Sequence, residues 1–575
     1  MTSETKNRMI LSMIESLLYP VLVAAKDRAG VSSLQRTQAG DRMAAPMIAD
    51  ERTYDYDYLV IGSGFGGSVS ALRLSEKGYR VLVLEKGMRL TEKDFPKRNW
   101  NLRKWLWLPM LRFFGFFRIT LFRHLTVLSG VGVGGGSLVY ANALQVPPKE
   151  FFRSGSWAGL ADWEQELAPH YKTVLTMLGA TQNQRLEAGD RALEKLAGEA
   201  GKADRFGPTT VAVFFGEPDV TVPDPYFGGK GPARAGCNFC GGCMVGCRYN
   251  AKNTLDKNYL YLAERTGARV QPGSEAVDVV PLGKDDGSDG YTVRWRSSTT
   301  LLKRTGSTTC RGVVFAGGVL GTVKLLTALK RSSLPRLSDR VGRDVRTNSE
   351  SLMGVMTFDR NTKFSDGVAI GSILQTDEHS FLEPVRYPSG SGFWRLFMAP
   401  AVHGRNVLIR IVKMAVDLIT HPVANFRVYF VRNWAEKTQI LMFMRTINST
   451  LRLSDGWFGL RSAKDRGEAP TAFIPEAKDM VERYAKIVNG KSMALLSESL
   501  LGIPTTAHIL GGSVMGRDRE EGVLDGGNRV FGYENLYVCD GSMISANPGV
   551  NPSLTIAAIA ERAMSGIGPK GVKGA

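Results

Sequence analysis

The stretch DYDYLVIGSGFGGSVSALRLSEKGYRVLVLEKG, residues 55–87, decides the fold class of this 575-residue chain. Its apolar runs predict a buried strand over residues 58–61 and a second strand over residues 81–84. The spacing between them predicts a helix over residues 68–77 that ends before Gly78. A strand, a glycine-rich turn, a helix and a second strand in this order predict a Rossmann-like nucleotide-binding unit.

Three glycines in this stretch have the spacing G-x-G-x-x-G, and each has its own physical role. We expect Gly62 to permit the tight turn, Gly64 to let the backbone approach a pyrophosphate at the helix N-terminus, and Gly67 to allow close helix–strand contact. Glu85 closes the second strand, where it can accept hydrogen bonds from an adenosine ribose. The alternative is a glycine-rich turn that binds no nucleotide, and the fingerprint alone does not separate FAD from NAD.

Two later segments carry further signals of a flat, charged ligand. LSGVGVGGGSLVYANALQVPP, residues 128–148, has five glycines between positions 130 and 136, and we expect an apolar strand after them. NLYVCDGSMISANPGVNPSLTIAAIAERA, residues 535–563, predicts a strand over residues 537–539, then a turn, then a helix that begins at Pro552. Free N–H groups at that helix N-terminus can stabilise negative charge on a flavin ring.

These motifs resemble those of the glucose–methanol–choline (GMC) flavoprotein oxidoreductases, and within that family those of bacterial cholesterol oxidases that bind FAD non-covalently. The matching motifs occur in the family's order and are IGSGFGGS, VGVGGGSLV, VVFAGGVLGTVKLL, AHILGGSVMG, LYVCDGSMI and GVNPSLTIAAIAERA. The resemblance implies an α/β fold. A Rossmann-like FAD-binding domain is assembled from non-contiguous segments, and an α+β substrate domain is built on an antiparallel sheet.

The same resemblance implies a division of the chain into six segments. In chain order these are an N-terminal extension (1–54), the first part of the FAD-binding domain (55–150), a substrate or cap region with a cysteine cluster (151–250), the second part of the FAD-binding domain (251–335), the substrate domain (336–504) and the third part of the FAD-binding domain (505–575).

The resemblance implies FAD as the cofactor. No histidine follows the glycine loop at the position where some family members attach FAD, so we expect non-covalent binding. We expect Val277 to touch the adenine through its backbone, and Asp540 and Gly541 to lie along the ribityl chain. The full set of predicted cofactor-binding residues is Gly62, Gly64, Phe65, Gly67, Glu85, Gly132, Gly135, Gly136, Ser137, Asn142, Val277, Asp540, Gly541, Asn551 and Pro552.

In the family a histidine and an asparagine face the flavin where the substrate hydroxyl binds, and His508 and Asn551 stand in the matching motifs. A histidine suits the removal of a hydroxyl proton because its pKa lies near working pH. An asparagine amide can hydrogen-bond the alcohol oxygen without adding charge. Bacterial cholesterol oxidases also use a glutamate to move a proton when a steroid double bond migrates. FLEPVRYPSG, residues 381–390, offers Glu383 as the counterpart, with a surface or ion-paired glutamate as the alternative.

The resemblance therefore predicts that FAD oxidises the hydroxyl of a sterol or similar bulky lipid alcohol to the ketone by hydride transfer to flavin N5. Double-bond isomerisation accompanies the oxidation if Glu383 acts as expected. One alternative is a long-chain alcohol dehydrogenase that passes electrons to a membrane acceptor. Another is a non-catalytic flavin-binding subunit. The electron acceptor is expected to be oxygen or an unidentified membrane or protein acceptor.

The segment GCNFCGGCMVGC, residues 236–247, carries four of the six cysteines of the chain with the spacing C-x2-C-x2-C-x3-C. This spacing is that of bacterial ferredoxins, except that Arg248 replaces the following proline. An iron–sulfur cluster, a zinc ion held by four thiolates and purely structural thiols are the three alternatives. A cluster would favour a dehydrogenase that feeds an acceptor. The four candidate ligands are Cys237, Cys240, Cys243 and Cys247.

The formal net charge of +18 predicts an anionic partner, and no nucleic-acid-binding signature is present. Residues 97–124 contain seven Lys and Arg residues among eight Trp and Phe residues. Residues 393–434 contain six Lys and Arg residues and one acidic residue, Asp417. Basic residues among aromatic ones predict peripheral contact with an anionic membrane. The alternative is a core segment whose basic side chains reach out to water.

Near the N-terminus, residues 6–30 predict an amphipathic helix, because Glu15 and Pro20 interrupt the apolar run that a cleaved signal peptide needs. No run of about 18 or more apolar residues occurs, so no segment is expected to span a bilayer. Clustered cysteines favour a reducing compartment. We therefore expect a cytoplasmic, membrane-associated protein.

Overall fold

In the computed structural model, which describes residues 53–456, 459–465 and 468–571, the fingerprint segment lies at the centre of a seven-stranded sheet. Its strand Tyr56–Ile61 lies between Val81–Leu84 and Thr305–Phe315, and all three run parallel. The other strands come from distant parts of the chain and are Arg269–Gln271, Ser274–Pro281, Tyr291–Ser297 and Leu536–Val538. The prediction of a Rossmann-like domain assembled from non-contiguous segments is confirmed.

The fingerprint helix spans Phe65–Glu76 and begins three residues before the predicted start, because Gly64 already serves as its N-cap. It packs against the C-terminal helix Ser553–Ser565, which in turn packs against Trp163–Met177. A Cβ atom at Gly66 would lie 1.6 Å from the carbonyl oxygen of Cys539, so only glycine allows this close approach. The two other helices beside this sheet are Tyr259–Arg265 and Gly318–Lys330.

A second seven-stranded sheet is antiparallel throughout, as predicted for the substrate domain. Its strands in spatial order are Met398–Pro400, Gly490–Leu495, Ser351–Thr357, Thr438–Arg445, Ser380–Val385, Ser372–Gln375 and Phe206–Pro208. One face packs on the helices Ala188–Glu199 and Pro475–Ile487 in a single apolar cluster. The opposite face belongs to another apolar cluster that is rich in methionine and aromatic side chains. The sheet therefore separates two distinct interiors.

A three-stranded sheet connects the two parts of the molecule. The strand Thr126–Gly130 pairs with Phe117–Leu121 on one side and with the short strand Thr505–Thr506 on the other. The prediction of an apolar strand after the glycine loop is wrong. Residues Gly135–Leu138 form a 3-10 turn, because the loop must reverse direction at glycines with positive φ.

Several short elements complete the described chain. Short helices span Leu102–Trp105, Lys149–Arg153 and Trp434–Lys437. Small strand pairs join Trp107–Leu108 with Phe113–Phe114, Thr181–Gln182 with Thr210–Val211, Thr221–Val222 with Arg234–Ala235, and Leu451–Gly456 with Gly459–Lys464. The predicted N-terminal amphipathic helix lies outside the described residues.

The two aromatic and basic stretches differ in exposure. In residues 97–124, the side chains of Trp105, Trp107, Phe116 and Phe117 are buried, so much of this stretch is core. In residues 393–434, the helices Val407–Thr420 and Pro422–Phe430 lie at the surface, and the first of them has no buried residue. Among the described residues, no helix is both long and apolar enough to cross a membrane.

The close contact at Gly66 gives a stability prediction. Replacing Gly66 with alanine places a methyl group on the Cys539 carbonyl, so we expect a loss of about 1–3 kcal/mol or more in the free energy of unfolding. Gly321, inside the helix Gly318–Lys330, is the matched control, because a Cβ atom there meets nothing within 4 Å. Gly321→Ala should be neutral or stabilising by up to about 1 kcal/mol. Thermal unfolding measures both variants, and equal melting temperatures would contradict the packing argument.

Candidate active site

The fingerprint turn and the glycine loop, which are distant in sequence, lie directly against each other. The Ser63 hydroxyl accepts a hydrogen bond from the Gly134 amide at 3.1 Å and lies 3.3 Å from the Gly132 carbonyl oxygen. A Cβ atom at Gly135 would lie 2.6 Å from the Cα atom of Gly64. Both predicted ligand-approaching loops therefore form one surface, and their glycines are needed for that contact.

Glu85 is buried beneath this surface and holds the turn together. Its Oε2 atom accepts hydrogen bonds from the Ser63 amide at 3.1 Å and the Ser63 hydroxyl at 2.8 Å. Its Oε1 atom accepts one from the Gly87 amide at 2.7 Å. A carboxylate has further lone pairs, so its predicted contact with a ribose stays a prediction.

The three fingerprint glycines differ in what a side chain would meet. At Gly62 and Gly67, a Cβ atom would collide with backbone at 2.3 and 2.1 Å, so the fold itself requires glycine there. At Gly64, a Cβ atom would meet no protein atom within 4 Å. The fold therefore tolerates a side chain at Gly64, while a pyrophosphate resting on the helix N-terminus would not. These residues fit a dinucleotide such as FAD.

The other predicted cofactor-binding residues differ in burial and in their contacts. A Cβ atom at Gly136 would lie 3.6 Å from the Phe65 ring, and the Ser137 hydroxyl donates to the Gly134 carbonyl at 2.7 Å. Asn142 is fully buried with a left-handed backbone. Val277 is exposed at a β-bulge, which leaves its backbone outside the strand ladder, as a backbone contact to adenine would need.

Asp540 lies at the carboxyl end of the strand Leu536–Val538, buried among hydroxyl groups. It accepts hydrogen bonds from the amide and the hydroxyl of Ser542 and from the hydroxyl of Thr322. Burial raises the pKa of Asp540. The Gly541 carbonyl accepts a bond from the Gly511 amide, which ties this turn to the segment that follows His508. Pro552 is the N-cap of the helix Ser553–Ser565, so the predicted helix start is correct within one residue.

His508 is paired with a glutamate that the sequence did not point to. Its Nδ1 atom lies 2.6 Å from Oε1 of Glu350, whose side chain is fully buried. Oε2 of Glu350 accepts a hydrogen bond from the Ala507 amide at 2.9 Å, and the His508 amide donates to the Thr506 hydroxyl at 2.9 Å. Ring and backbone are therefore both fixed, and Nε2 is the ring nitrogen left to face a ligand.

The electrostatics of His508 follow from this pairing. Burial disfavours the charged imidazolium, but the charge and hydrogen bond of Glu350, with a smaller effect of Glu383, outweigh it. The pKa of His508 is therefore raised above its ordinary value. In the neutral ring, an Nδ1–H bond to Glu350 leaves the lone pair on Nε2, as in other histidine bases oriented by a carboxylate.

Asn551 and Glu383, predicted from different motifs, are in contact. With its amide nitrogen turned toward the carboxyl group, Asn551 donates to Oε1 of Glu383 at 2.9 Å and to Oε2 at 3.2 Å. Glu383 is fully buried on the strand Ser380–Val385, opposite Met442. Burial raises the pKa of Glu383 to about 8, although Asn551 and His508 act in the other direction.

Asn348 joins these groups and was also missed in the sequence. Its Oδ1 atom accepts from the Gly549 amide at 2.8 Å, and its Nδ2 donates to the Val550 carbonyl at 3.1 Å and lies 3.4 Å from His508 Nδ1. Asn348 and Ser349 both have positive φ, which bends the chain into the site just before the strand Ser351–Thr357. A run of four polar residues at 347–350 ahead of an apolar strand was the available signal, but it is also typical of a turn.

The cysteine cluster forms the wall of a separate cavity of about 20 Å³. Burial raises the pKa of the Cys237 and Cys243 thiols, and that of Cys240 to about 12. Among residues 53–456, 459–465 and 468–571, no group of three or more His, Cys, Asp or Glu side chains is arranged to hold a metal ion. The iron–sulfur and zinc hypotheses are therefore not supported.

Comparison with known proteins agrees with this geometry. Residues 444–560 match the family model for GMC oxidoreductase, and residues 60–98 match the model for an NAD(P)-binding Rossmann-like domain. The chain is 47% identical over 528 residues to a cholesterol oxidase from Acinetobacter baumannii, an alignment that covers 90% of this chain and 95% of that protein. It is 44% identical over 530 residues to a cholesterol oxidase from Mycobacterium tuberculosis (strain ATCC 25618 / H37Rv), with 89% and 91% covered.

Among solved structures, pyridoxine 4-oxidase from Mesorbium loti superposes with a TM-score of 0.57 and 14% identity. The superposition covers 88% of this chain and 98% of that one. At this identity the likeness is evidence for the fold alone.

The pairing of His508 with Glu350 gives a prediction that needs no substrate. Glu350→Gln keeps the size of the side chain but removes the charge that raises the pKa of His508, so that pKa should fall. Glu498→Gln is the matched control, because Glu498 is also a buried glutamate, whereas the charges that raise the pKa of His508 are those of Glu350 and Glu383. NMR titration of labelled histidine rings measures both. An unchanged His508 pKa in Glu350→Gln would contradict the assignment.

Proposed function

Since the chain belongs to the GMC oxidoreductase family, we propose that it uses non-covalent FAD to oxidise the hydroxyl group of a sterol, or of a similarly bulky lipid alcohol, to the ketone. The observation that carries the proposal is the pairing of His508 Nδ1 with buried Glu350, next to the contact between Asn551 and Glu383. The likeness to two cholesterol oxidases over most of their length supports the substrate class.

The cofactor would be held by the joined glycine surfaces. The backbone at Gly64 and the N-terminus of the helix Phe65–Glu76 would hold the pyrophosphate. The buried Asp540 and the N-terminus of the helix Ser553–Ser565 would lie along the rest of the molecule. When bound, FAD supplies the acceptor for the hydride that leaves the carbinol carbon.

His508 is the proposed base for the hydroxyl proton. Because Nδ1 faces Glu350, the free Nε2 atom accepts the proton while Glu350 stabilises the imidazolium that forms. The reaction requires the neutral ring, and the pKa of His508 is raised. Oxidation should therefore be lost as the pH falls through that raised pKa.

Asn551 orients the substrate in this proposal. One N–H of its amide is engaged by Glu383, and the other is available to the alcohol oxygen. The amide adds no charge, so it can hold the oxygen both before and after the proton leaves. Asn348 supports this position because it bonds the Gly549 and Val550 backbone just before Asn551.

Glu383 is the proposed proton carrier for double-bond migration. A carboxyl group with a pKa of about 8 can both take and return a proton near neutral pH, which an exposed glutamate does poorly. It lies on the sheet face that belongs to the methionine-rich and aromatic cluster, beside Met442. Flexible methionine side chains suit a bulky apolar ligand. We propose oxygen as the electron acceptor, since the relatives that match over most of their length are named oxidases.

We also propose that the protein docks on an anionic membrane through the helices Val407–Thr420 and Pro422–Phe430, called here the docking helices. In the first helix, Arg410 and Asp417 face the protein, and Asp417 pairs with Lys491 at 2.7 Å. The outward side is apolar, and its apolar residues recur at the spacing of one helix face. Its exposed members across both helices are Leu408, Val412, Val416, Ile419, Val423, Phe426 and Phe430.

An apolar side turned to solvent is the reverse of a normal surface helix and is typical of a helix that lies in a lipid interface. Basic residues at its border, Arg405 and Lys413, complement anionic lipid. The cytoplasmic location stays a prediction.

His508→Ala tests the proposed reaction directly. In the wild type, acid should release the FAD, because it is bound non-covalently. The variant should still bind FAD. Its anaerobic flavin bleaching by a 3-hydroxysterol should be slower than that of the wild type by about 100-fold or more. His379→Ala is the matched control, because that histidine is exposed and its ring contacts Thr446 and exposed Glu150. If the sterol bleached the flavin of His508→Ala at the wild-type rate, His508 could not be the base for the hydroxyl proton. Bleaching of the wild type by long-chain primary alcohols alone would exclude the substrate class.

Glu383→Gln separates oxidation from isomerisation. The variant cannot carry a proton, so we expect the ketone to form with its double bond unmoved, while sterol oxidation stays within about tenfold of the wild type. Glu378→Gln, an exposed glutamate on the same hairpin, should leave both steps unchanged. Chromatography of the products distinguishes the two ketones. An isomerised ketone from Glu383→Gln at the normal rate would contradict the role.

A further inference from the structure

A cavity of about 90 Å³ lies on the side of the antiparallel sheet that the proposed reaction does not use. Ser351, Met353 and Ala494 line its floor, and Met353 pairs directly with Ala494. Met353 belongs to the apolar cluster opposite that of Met442, the partner of Glu383. Because strand side chains alternate between faces, the cavity and Glu383 are separated by the sheet.

Two cationic side chains and a histidine converge on this cavity from three elements. Arg410 comes from the first docking helix, Lys478 from the helix Pro475–Ile487, and His403 from the loop that precedes the first docking helix. The Arg410 guanidinium is held in place by the Gly404 carbonyl, which accepts from Nε at 2.8 Å, and the Leu500 carbonyl, which accepts from Nη1 at 3.3 Å.

The guanidinium is also packed closely against backbone. A Cβ atom at Gly502 would lie 2.5 Å from Arg410 Nη1, so the guanidinium lies directly against the Gly502 backbone. The two carbonyls use only part of its N–H donors, and the rest are available to a ligand. Arg410 is therefore a fixed donor at the cavity wall.

The cavity lacks the negative charge that would balance these cations. Among the described residues, no carboxylate lies within ion-pair distance of Arg410, Lys413 or His403. Lys478 pairs with Glu482 at 2.6 Å, but both are partly exposed, and such surface pairs are weak. Burial lowers the pKa of His403, and the charges of Arg410, Lys413 and Lys478 lower it further.

The one acid in the wall does not change this balance. Glu498 lines the cavity, and burial raises its pKa well above the usual range, which favours the uncharged carboxyl group. A fixed guanidinium and an ammonium around a small cavity favour an oxyanion over a cation or an apolar ligand.

We propose that this cavity binds a phosphate-class anion, and that in the cell the anion is the headgroup phosphate of an anionic phospholipid under the docking helices. The lipid source rests on the proposed membrane docking. Arg410 extends toward the cavity from the same helix whose opposite side is apolar. A lipid with its phosphate in the cavity and its chains along that apolar side would contact both.

The test uses the full FAD-loaded protein and two double variants that each remove two positive charges. Arg410→Gln with Lys478→Gln removes the cavity cations. Arg432→Gln with Lys486→Gln removes two exposed cations that do not line the cavity, one of them on the same helix as Lys478. Oxidation of a detergent-solubilised sterol should be unchanged in both, which shows that both are folded.

In the first arm, inorganic phosphate is titrated into the protein. Binding is monitored by the NMR signal of the His403 ring. Phosphate should raise the His403 pKa in the wild type and in the exposed-charge variant, because an anion offsets the neighbouring cations. In the cavity variant, phosphate affinity should fall by about tenfold or more. No phosphate binding to the wild type, or an equal loss in both variants, would overturn the site.

The second arm compares vesicles of phosphatidylcholine alone with vesicles that also contain phosphatidylglycerol. The wild type should bind the mixed vesicles more tightly, and the cavity variant should lose that preference while it still binds phosphatidylcholine. Phosphate binding without any vesicle preference would overturn the lipid assignment and leave free phosphate as the ligand. Binding to neither vesicle would refute the docking proposal, and the phosphate arm would still decide the site.

Discussion

The contact between His508 Nδ1 and Glu350 Oε1 depends on how the large antiparallel sheet and the three-stranded sheet are held together. Glu350 precedes the antiparallel strand Ser351–Thr357, whereas His508 follows the short strand Thr505–Thr506, which pairs with Thr126 and Val127 of the strand that leads into the glycine loop. Residues Arg346 and Leu510 exchange backbone hydrogen bonds in both directions, which fixes the two segments in register. A shift of the strand register by one residue in either sheet would therefore move the carboxylate away from the imidazole.

Burial makes this contact energetically costly unless the carboxylate is satisfied. A fully buried carboxylate is tolerated only with hydrogen bonds and an opposite charge, and Glu350 has both, from the Ala507 amide and from His508. Glu383 lies nearby without a cationic partner of its own, and its carboxyl group accordingly holds its proton to higher pH. The two buried glutamates thus differ in their partners, because Glu350 faces the imidazole and Glu383 an amide, and burial raises the pKa of Glu383. The antiparallel sheet then separates Glu383 from the cationic cavity on its other face.

The sequence predicted the nucleotide-binding half well, because its signals are local. The strand and helix periodicities and the three glycines are set by neighbouring residues, and the strand Val81–Leu84 was predicted to the residue. The prediction of an apolar strand after the glycine loop was wrong, because five glycines allow the chain to reverse direction, which hydrophobicity does not indicate. Glu350 and Asn348 were missed because their roles come from tertiary contact. The aromatic residues at 105–117 have a composition that suits a membrane, but pattern alone cannot show that several of them pack into the core.

The central claim is that His508 Nε2 is the atom that receives the proton of the alcohol. The most direct measurement is a crystal structure of the FAD-loaded protein with a bound sterol under anaerobic conditions. We expect the sterol oxygen within hydrogen-bond distance of both His508 Nε2 and the Asn551 amide, roughly 2.6–3.2 Å, with Glu350 still on Nδ1. A sterol oxygen bound elsewhere, or a ring turned so that Nε2 meets Glu350, would contradict it.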